Sequence, residues 1–287
     1  MKNTDYHCYL CGSTDYIRLH EGTRDNPDVD VLKCQKCSLV YLSSHMHIET
    51  GRYYENSQMV SGKSYEEWVN STATDDKRRY LQYKDKIHNK KIVDFGCGNG
   101  GFLRYAISDA VVAVGIELDH NARSYMSEYN CITVYETIDE CSDEFDVAFL
   151  FHVVEHFISP SSILNSIHNK IVIGGEIIIE TPNSDDALLS LYDNKSFANF
   201  TYWSPHLCLY NNETLRIAVE MAGFRINWIK QYQRYPLANH LRWLAKGLSG
   251  GGINEFQFLN TDELNNAYSQ LLEDKGICDT IICSISK

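Results

Sequence analysis

An apolar strand that ends in an acid and continues into a glycine-rich turn is the feature that most constrains the fold of this chain. The strand segment closes on Asp94, and the turn carries Gly96, Gly98, Gly100 and Gly101. Glycine allows unusual backbone angles and lets a ligand approach the main chain closely, and a strand, such a turn and a helix in succession are typical of doubly wound α/β folds. The sequence therefore predicts an α/β fold that holds a nucleotide-like cofactor at the end of its first strand.

Strand-like and helix-like segments alternate after this turn. Strands are predicted at 111–117, 145–151 and 176–180, and helices at 101–108, 120–128 and 160–170. This alternation predicts a doubly wound, Rossmann-like sheet of mainly parallel strands with ligands at their carboxyl ends. The apolar ending 280–285 predicts a last strand that pairs antiparallel at the sheet edge.

The glycine turn by itself fits two kinds of cofactor. The spacing Gly96-x-Gly98-x-x-Gly101 satisfies the dinucleotide fingerprint, in which backbone amides face a pyrophosphate. Asp94 would lie badly beside that negative charge, whereas an acid here suits a cofactor whose amino-acid end carries an ammonium group, such as S-adenosylmethionine. Glu117 ends the next strand about twenty residues further on, where an acid can accept hydrogen bonds from ribose hydroxyls. The context favours S-adenosylmethionine.

Two cysteine pairs precede this domain. Cys8-x-x-Cys11 and Cys34-x-x-Cys37 have the spacing of a four-thiolate zinc ribbon, which predicts a small N-terminal module with a structural zinc ion. A redox dithiol is the alternative interpretation, although that chemistry does not need two matched pairs.

Charge and hydropathy limit the partners. The net charge of −12 argues against binding along phosphate backbones, which needs clustered lysine and arginine. The start of the chain is polar, and no run approaches the roughly 18 apolar residues of a membrane span. We therefore expect a cytoplasmic protein with a small-molecule acceptor, and neither a nucleic acid nor a membrane as its partner.

Several ordered segments resemble the class I S-adenosylmethionine-dependent methyltransferases. They lie at 93–100, 115–117, 145–147, 154–156 and 174–183. The resemblance implies that the first segment holds the methionine part of the cofactor, the acid after the second strand holds the ribose, and residues after the fourth strand line the sulfonium. The predicted cofactor-binding residues are Asp94, Gly96, Cys97, Gly98, Gly100, Glu117, Leu118, Ile138, Phe151 and His152.

Other resemblances concern the acceptor. The cysteine module is similar to that of zinc-containing sugar C-methyltransferases, and residues 233–241 resemble small bacterial methyltransferases of surface-polysaccharide biosynthesis. These features predict a sugar or nucleotide-linked sugar as acceptor, with oxygen favoured over carbon or nitrogen. A zinc ribbon also precedes the domain in a family of guanine-N1 methyltransferases of ribosomal RNA. An RNA or protein methyltransferase that grips its substrate with the ribbon is thus an alternative, and a non-catalytic cofactor-binding module is another.

Histidine is the natural general base for a hydroxyl acceptor. His206 ranks first, because it lies in the long connection after the fifth strand, where related enzymes often place acceptor-binding residues. His156 is the second candidate, and its alternative role is a scaffold hydrogen bond with Glu155.

The remaining candidates concern acceptor binding and domain limits. The predicted acceptor-binding residues are Tyr53, Tyr54, Tyr202, Tyr235, His240 and Arg242. Simple surface packing is the alternative for the first two, and an amphipathic helix is the alternative for the segment that holds the last two. We expect a zinc-ribbon module at 1–48, a linker or lid at 49–74, and a methyltransferase domain at 75–287 with an acceptor-side insertion around 234–262.

Overall fold

The computed structural model describes residues 6–51, 53–55, 62, 64–128, 132–250 and 253–287. The strands are β1 (Tyr16–His20), β2 (Val31–Cys34), β3 (Val40–Leu42), β4 (Lys91–Phe95), β5 (Val112–Ile116), β6 (Thr133–Tyr135), β7 (Phe145–Phe151), β8 (Ile171–Pro182), β9 (Cys208–Leu209), β10 (Arg225–Tyr232) and β11 (Thr280–Ser286). The helices are α1 (Met46–Gly51), α2 (Tyr65–Ile87), α3 (Gly101–Ala106), α4 (His120–Ser127), α5 (Pro160–His168), α6 (Ala187–Ser190), α7 (Lys195–Thr201), α8 (Asn212–Met221), α9 (Leu237–Lys246) and α10 (Asp262–Lys275).

A central sheet organises most of the chain. Among the described residues it has seven strands, in the order β10-β11-β8-β7-β4-β5-β6. The pairs from β8 to β6 are parallel, and β11 pairs antiparallel with both β8 and β10. The predicted α/β fold with a mainly parallel sheet and an antiparallel last strand is confirmed. The predicted position of that strand is wrong, because β10 forms the edge and β11 lies inside the sheet.

Helix α2 begins earlier than the sequence interpretation placed it. Ser64 caps its first turn through a capping box with Glu67, which satisfies the free amides at the helix start. Residues 65–74 are therefore the first turns of a long helix and not part of a linker. The rest of the predicted linker or lid, at 49–64, lies partly outside the described residues.

The N-terminal segment forms a second sheet, and one strand of this sheet comes from a distant part of the chain. In the described part of the chain this sheet has the order β1-β2-β3-β9, and β9 comes from the connection after the fifth strand of the central sheet. Further backbone hydrogen bonds run from Leu42 to Leu207 (3.1 Å) and from Arg24 to Tyr202 (2.7 Å). The N-terminal sheet thus holds one side of the segment 202–209.

The two sheets share an apolar core. Leu32 and Tyr41 of the N-terminal sheet are buried in the same cluster as Val93, Leu150 and Ile179 of the central strands. Within the described residues, none of the helices combines the length and apolar character that a membrane crossing would require.

Candidate active site

The glycine turn joins the ends of β4 and β5. Gly98 donates its backbone N–H to Oε2 of Glu117 at 2.8 Å, and Gly96 donates to the carbonyl of Ile116 at 2.8 Å. Gly96 and Gly98 have φ angles of 70° and 55°, in the left-handed region that disfavours side chains. The turn therefore brings its main chain against Glu117, the acid that the sequence predicts to contact the cofactor.

Two buried acids border this turn. Asp94 is only 3% exposed, and burial raises its pKa well above the ordinary value although Arg79 lowers it. Burial also raises the pKa of Glu117, against hydrogen bonds from the backbone of Asp119 and Gly98. A ligand that brings a positive charge or hydroxyl donors would stabilise the ionised form of these acids.

Helix α2 covers the turn from outside. The indole of Trp68 lies so close to Gly98 that a Cβ there would meet the ring at 3.0 Å. A Cβ at Gly101 would come within 2.0 Å of Oδ2 of Asp76, so any side chain at this position would displace that buried carboxylate. The turn is thus enclosed between the ends of the strands and the first half of α2.

A buried ionic network fixes the end of β7. Glu180 is fully buried and accepts hydrogen bonds from Arg78 (2.8 Å) and Arg79 (2.7 Å). The backbone N–H of His152 donates to the carbonyl of Glu180 at 2.7 Å, and Arg234 donates to Nε2 of His152 at 2.9 Å. His152 has a φ of 58°, a strained conformation for a non-glycine residue, and such strain concentrates at functional sites. The network ties α2 and the segment after β10 to the strand end that the sequence assigned to the cofactor.

A second group of side chains gathers beside the turn that follows β7. The hydroxyl of Tyr54 lies 2.9 Å from Nδ1 of His156, and the same nitrogen lies 3.0 Å from the carbonyl of Pro205. The rings of His156 and His206 meet edge to face, with centroids 5.2 Å apart. The structure thus brings together both predicted catalytic residues and one predicted acceptor-binding residue. We call Tyr54, His156 and His206 the acceptor-side cluster, after the role that the sequence predicts for them.

Glu155 does not form the predicted scaffold hydrogen bond with His156. Its Oε1 lies 3.2 Å from Nδ1 of His152, and its Oε2 accepts a hydrogen bond from Thr181 at 3.0 Å. Burial raises the pKa of Glu155, but the hydrogen bond with His152 and the neighbouring imidazoles lower it to about 2. Glu155 is therefore a buried carboxylate beside the acceptor-side cluster.

Burial changes what the two histidines can do. Burial lowers the pKa of His206 to about 3, and that of His156 also falls. Nδ1 of His206 is buried without a hydrogen-bond partner among the described residues, a situation that costs about 1–3 kcal/mol. Both rings are therefore neutral at pH 7.

The other predicted acceptor-binding residues are dispersed. Tyr53 packs against Tyr54, with ring centroids 5.3 Å apart. Tyr202 is buried against His20 of the N-terminal sheet, and Tyr235 is 43% exposed.

His240 and Arg242 have structural partners on α9 and its neighbours. His240 is 1% exposed, and its ring nitrogens face the hydroxyl of Tyr268 at 2.7 Å and Gln233 at 3.2 Å. Arg242 forms an ion pair with Glu255. These contacts resemble the amphipathic-helix alternative more than a wall over the acceptor.

The remaining predicted cofactor-binding residues also differ in exposure. Ile138 is buried in the core, Leu118 is 38% exposed, and Sγ of Cys97 lies 3.8 Å from Sδ of Met126. Phe151 lies beneath the guanidinium of Arg79, which is 4.6 Å from the ring centroid. Gly100 has a φ of 72° and starts α3.

The four predicted metal ligands converge. Sγ of Cys8 lies 3.5 Å from that of Cys37, Sγ of Cys11 lies 3.5 Å from that of Cys34, and all four sulfur atoms are within 4.8 Å of one another. Zn–S bonds of about 2.3 Å in a tetrahedron separate sulfur atoms by about 3.8 Å. Burial raises the pKa of Cys8 to about 11 and that of Cys37 further, whereas the effect of burial on Cys34 is outweighed by backbone hydrogen bonds, which lower its pKa to about 7. A bound ion would therefore displace protons from Cys8 and Cys37. The arrangement fits a zinc ion.

Comparison with known proteins decides the family. The sequence profile of a family described as a methyltransferase domain matches residues 65–227, more than half of the chain. The chain belongs to this methyltransferase family. The sequence prediction of a methyltransferase is thereby confirmed at the level of the family.

Two groups of curated methyltransferases are similar to this one. The ubiquinone biosynthesis O-methyltransferase of Pseudomonas syringae pv. tomato is 29% identical over 115 residues, which cover 36% of this chain and 49% of that protein. The tRNA U34 carboxymethyltransferase of Aliivibrio fischeri is 26% identical over 163 residues, which cover 51% of this chain and 48% of that protein. The chain thus spans about half the length of the curated relatives that it matches.

Among solved structures, a SAM-dependent methyltransferase from Archaeoglobus fulgidus matches with a TM-score of 0.48 and 20% identity. The match covers 78% of this chain and 95% of that one.

Several residues around the candidate site have no assigned role in the sequence prediction. They are Trp68, Arg78, Arg79, Glu180 and Arg234. Glu180 had a usable signal, because it follows an apolar strand and polar residues at parallel strand ends meet at one edge of the sheet. Arg78, Arg79 and Trp68 had none, since they lie on a helix that the sequence places outside the sheet. Arg234 lies in the connection between β10 and α9.

Proposed function

We propose that this chain transfers the methyl group of S-adenosylmethionine to a hydroxyl of a small polar acceptor. The observation that carries the proposal is the glycine turn enclosed by Asp94, Glu117 and α2, in a chain of a methyltransferase family. The curated relatives support it, because one of them is named an O-methyltransferase.

The residues present fit this cofactor. The carboxylate of Glu117, now bound to the N–H of Gly98, can accept hydrogen bonds from ribose hydroxyls. Asp94 is a buried acid without full charge compensation, and it suits the ammonium of the methionine end. Trp68 closes the turn from solvent. We propose these three residues as the main cofactor contacts, together with the other predicted residues of the turn.

We propose that the acceptor lies beside the acceptor-side cluster. S-adenosylmethionine supplies an electrophilic methyl group on a sulfonium. The acceptor oxygen forms a bond to the methyl carbon while the carbon–sulfur bond breaks, its electron pair stays on sulfur, and the hydroxyl proton leaves to water. In-line attack requires the acceptor oxygen to lie on the axis of the bond between the methyl carbon and sulfur. Holding the oxygen there can lower the activation barrier by several kcal/mol.

His206 and His156 act in this proposal by contact with the acceptor. A general base works best with a pKa near the operating pH, and burial lowers the pKa of His206 to about 3. Such a ring removes a proton poorly but accepts a hydrogen bond well. Tyr54 would orient His156 through its hydroxyl.

For the acceptor class we propose a sugar or nucleotide-linked sugar. The acceptor-side cluster is compact and polar, and the net charge of −12 disfavours a long anionic substrate. An RNA acceptor is the second candidate, because one group of curated relatives is named for tRNA modification. We also propose that Cys8, Cys11, Cys34 and Cys37 bind a structural zinc ion, since a four-thiolate site has no open position for a substrate.

Calorimetry followed by an acceptor screen tests the proposal. S-adenosylmethionine should bind and NAD should not, and the Glu117→Ala variant should bind S-adenosylmethionine weakly. Nucleotide sugars and RNA are then compared by the release of S-adenosylhomocysteine. Tight binding of NAD alone would overturn the cofactor assignment, and turnover with RNA alone would replace the sugar by the second candidate.

A further inference from the structure

Glu155, His156 and His206 form a group of metal-binding side chains separate from the four cysteines. One ligand atom of each residue lies within 4.8 Å of the others. Glu155 is buried, whereas His156 and His206 each keep part of their surface exposed. The group therefore has a buried anionic anchor, and its two histidines reach partly to the surface.

The contacts of His156 define which ring nitrogen is available. The carbonyl of Pro205, 3.0 Å from Nδ1, can only accept a hydrogen bond, so Nδ1 carries the proton. Nε2 then holds the lone pair. Metal-binding histidines commonly donate their other N–H to a backbone carbonyl in this way, which fixes the tautomer and the ring orientation.

His206 contributes a nitrogen that the described residues leave without a hydrogen bond. Its Nδ1 is buried, and the ring is held edge to face between His156 (5.2 Å) and Trp203 (5.3 Å). A buried ring nitrogen that lacks a partner is uncommon, because its lone pair or proton loses its water without replacement. A metal ion would supply the missing partner.

Glu155 keeps free coordination capacity. Its two oxygens face Nδ1 of His152 at 3.2 Å and the hydroxyl of Thr181 at 3.0 Å. Each carboxylate oxygen has about two acceptor positions, so one remains on each. His152 and Thr181 thus orient the carboxylate as outer-shell groups orient metal ligands. They leave acceptor positions on its oxygens available for an ion.

We propose that Glu155, His156 and His206 bind a divalent transition-metal ion. One carboxylate and two imidazoles form a donor set that suits zinc, iron(II) or cobalt(II) better than magnesium or calcium, which prefer oxygen. Three protein ligands leave positions open for an exogenous oxygen, as in catalytic rather than structural sites. Bonds of about 2.1 Å place neighbouring ligand atoms about 3–4 Å apart, so small side-chain rotations complete the site.

The role of the ion rests on the proposed function. An acceptor hydroxyl bound at an open position would have a lower pKa, and its proton would pass to water. The ion would then take the part that the sequence assigned to a histidine base. Metal binding itself stands on the geometry of the three residues and is tested without turnover.

A titration of the full-length, zinc-loaded protein with cobalt(II) tests the site. We expect one further equivalent of cobalt to bind, with weak visible bands and without the intense near-ultraviolet band of thiolate ligands, because the cysteines already hold zinc. The His206→Gln and His156→Gln variants should bind this equivalent more than about 100-fold more weakly, since loss of even an outer-shell partner costs 10–100-fold. His88→Gln, an exposed histidine at the opposite end of the sheet, should bind like the wild type.

The outcomes separate the two proposals. Failure of the wild type to bind the further equivalent, or unchanged binding and spectrum in both folded histidine variants, would overturn the metal site. Circular dichroism checks folding, and the wild-type titration decides the matter even where a variant does not fold. Calorimetry with S-adenosylmethionine on the same samples tests the proposed function independently, because the cofactor contacts do not include these residues.

Discussion

The proposed cofactor side and the proposed acceptor side of this site are built in different ways. Most of the cofactor side comes from the stretch 94–117, in which the glycine turn, Asp94 and Glu117 meet at the ends of two neighbouring strands, and Trp68 of α2 covers it. The acceptor-side cluster joins Tyr54, His156 and His206 from distant parts of the chain. The first is fixed by local backbone geometry, and the second depends on how separate segments pack.

The packing that creates the acceptor side includes the N-terminal sheet. The segment that carries His206 is held by pairing of β3 with β9 and by a hydrogen bond from the backbone of Ser204 to Asp25 at 2.9 Å. The glycine turn has its own supports in β5 and α2. A perturbation of the N-terminal sheet should therefore affect the acceptor side first.

Replacing one of the proposed zinc ligands should have the largest effect. In Cys34→Ser we expect loss of the bound zinc and a fall in the free energy of unfolding of several kcal/mol, because structural zinc contributes about 10–16 kcal/mol in zinc-finger peptides. Methyl transfer should fall more than about tenfold, while the Kd for S-adenosylmethionine stays within about threefold. Metal analysis, urea unfolding and calorimetry measure these quantities, with Cys278→Ser as a control for loss of a buried thiol elsewhere. Equal loss of cofactor binding and turnover in a folded variant would remove the distinction between the two sides.

Glu117→Ala should affect the cofactor side alone. The variant lacks the carboxylate that accepts the hydrogen bond from the Gly98 N–H and the proposed hydrogen bonds from ribose. A hydrogen bond to a charged group contributes about 1.5–3 kcal/mol. We expect the Kd for S-adenosylmethionine to rise about 10- to 150-fold, while cobalt binding at the acceptor side stays unchanged. Glu144 is an exposed acid just before β7, at the end of the strands opposite the glycine turn. The Glu144→Ala variant is therefore the control and should bind the cofactor normally.

The pH dependence of the free energy of unfolding should reflect the buried acid Asp94 on the cofactor side. Because burial raises the pKa of Asp94, the folded chain keeps a proton that the unfolded chain loses above about pH 4. The free energy of unfolding attributable to this group is therefore fully present below pH 4 and falls as the pH rises through the raised folded pKa, by at most about 1.4 kcal/mol per pH unit. Asp94→Asn should flatten this part of the profile in urea unfolding without cofactor, and an unaltered slope would contradict the assignment.

Tyr54→Phe should have the smallest effect and should be confined to the acceptor side. The change removes the hydroxyl beside Nδ1 of His156, and a single hydrogen bond contributes about 0.5–1.5 kcal/mol. Turnover should fall about 2- to 10-fold without a change in the Kd for S-adenosylmethionine. Tyr80→Phe removes a comparable hydroxyl, which donates to Asp109 at the far end of α2, and should leave turnover unaltered. An equal loss in both variants would refute a specific role for Tyr54.

The difference between the two sides also explains what the sequence could predict. The alternation of strands and helices, the glycine turn and the acid at Glu117 are local patterns, so the fold and the surroundings of the turn followed from residue order. The convergence of the four cysteines followed from their spacing. These features depend on contacts that the chain forms within short distances along its length.

Other features depend on tertiary contacts that no local pattern records. The two residues of β9 are too short to be recognised as a strand, and their partner β3 lies far away in the chain. His240 had the residue type of an acceptor contact, yet Tyr268 and Gln233 occupy its ring nitrogens. Trp68 was assigned to a linker, because the sequence did not reveal that its segment continues α2 over the glycine turn.

The pairing of β9 with the N-terminal sheet limits which segments of this protein can be exchanged with those of a relative. A chimera that exchanges only residues 1–48 with a relative would leave β9 beside a foreign strand and would alter the position of Pro205 and His206. An exchange that also carries residues 202–210 would keep the hydrogen bonds between the two segments intact. We therefore expect these two stretches to determine the choice of acceptor together. Engineering for a new acceptor would begin by exchanging both of them at once.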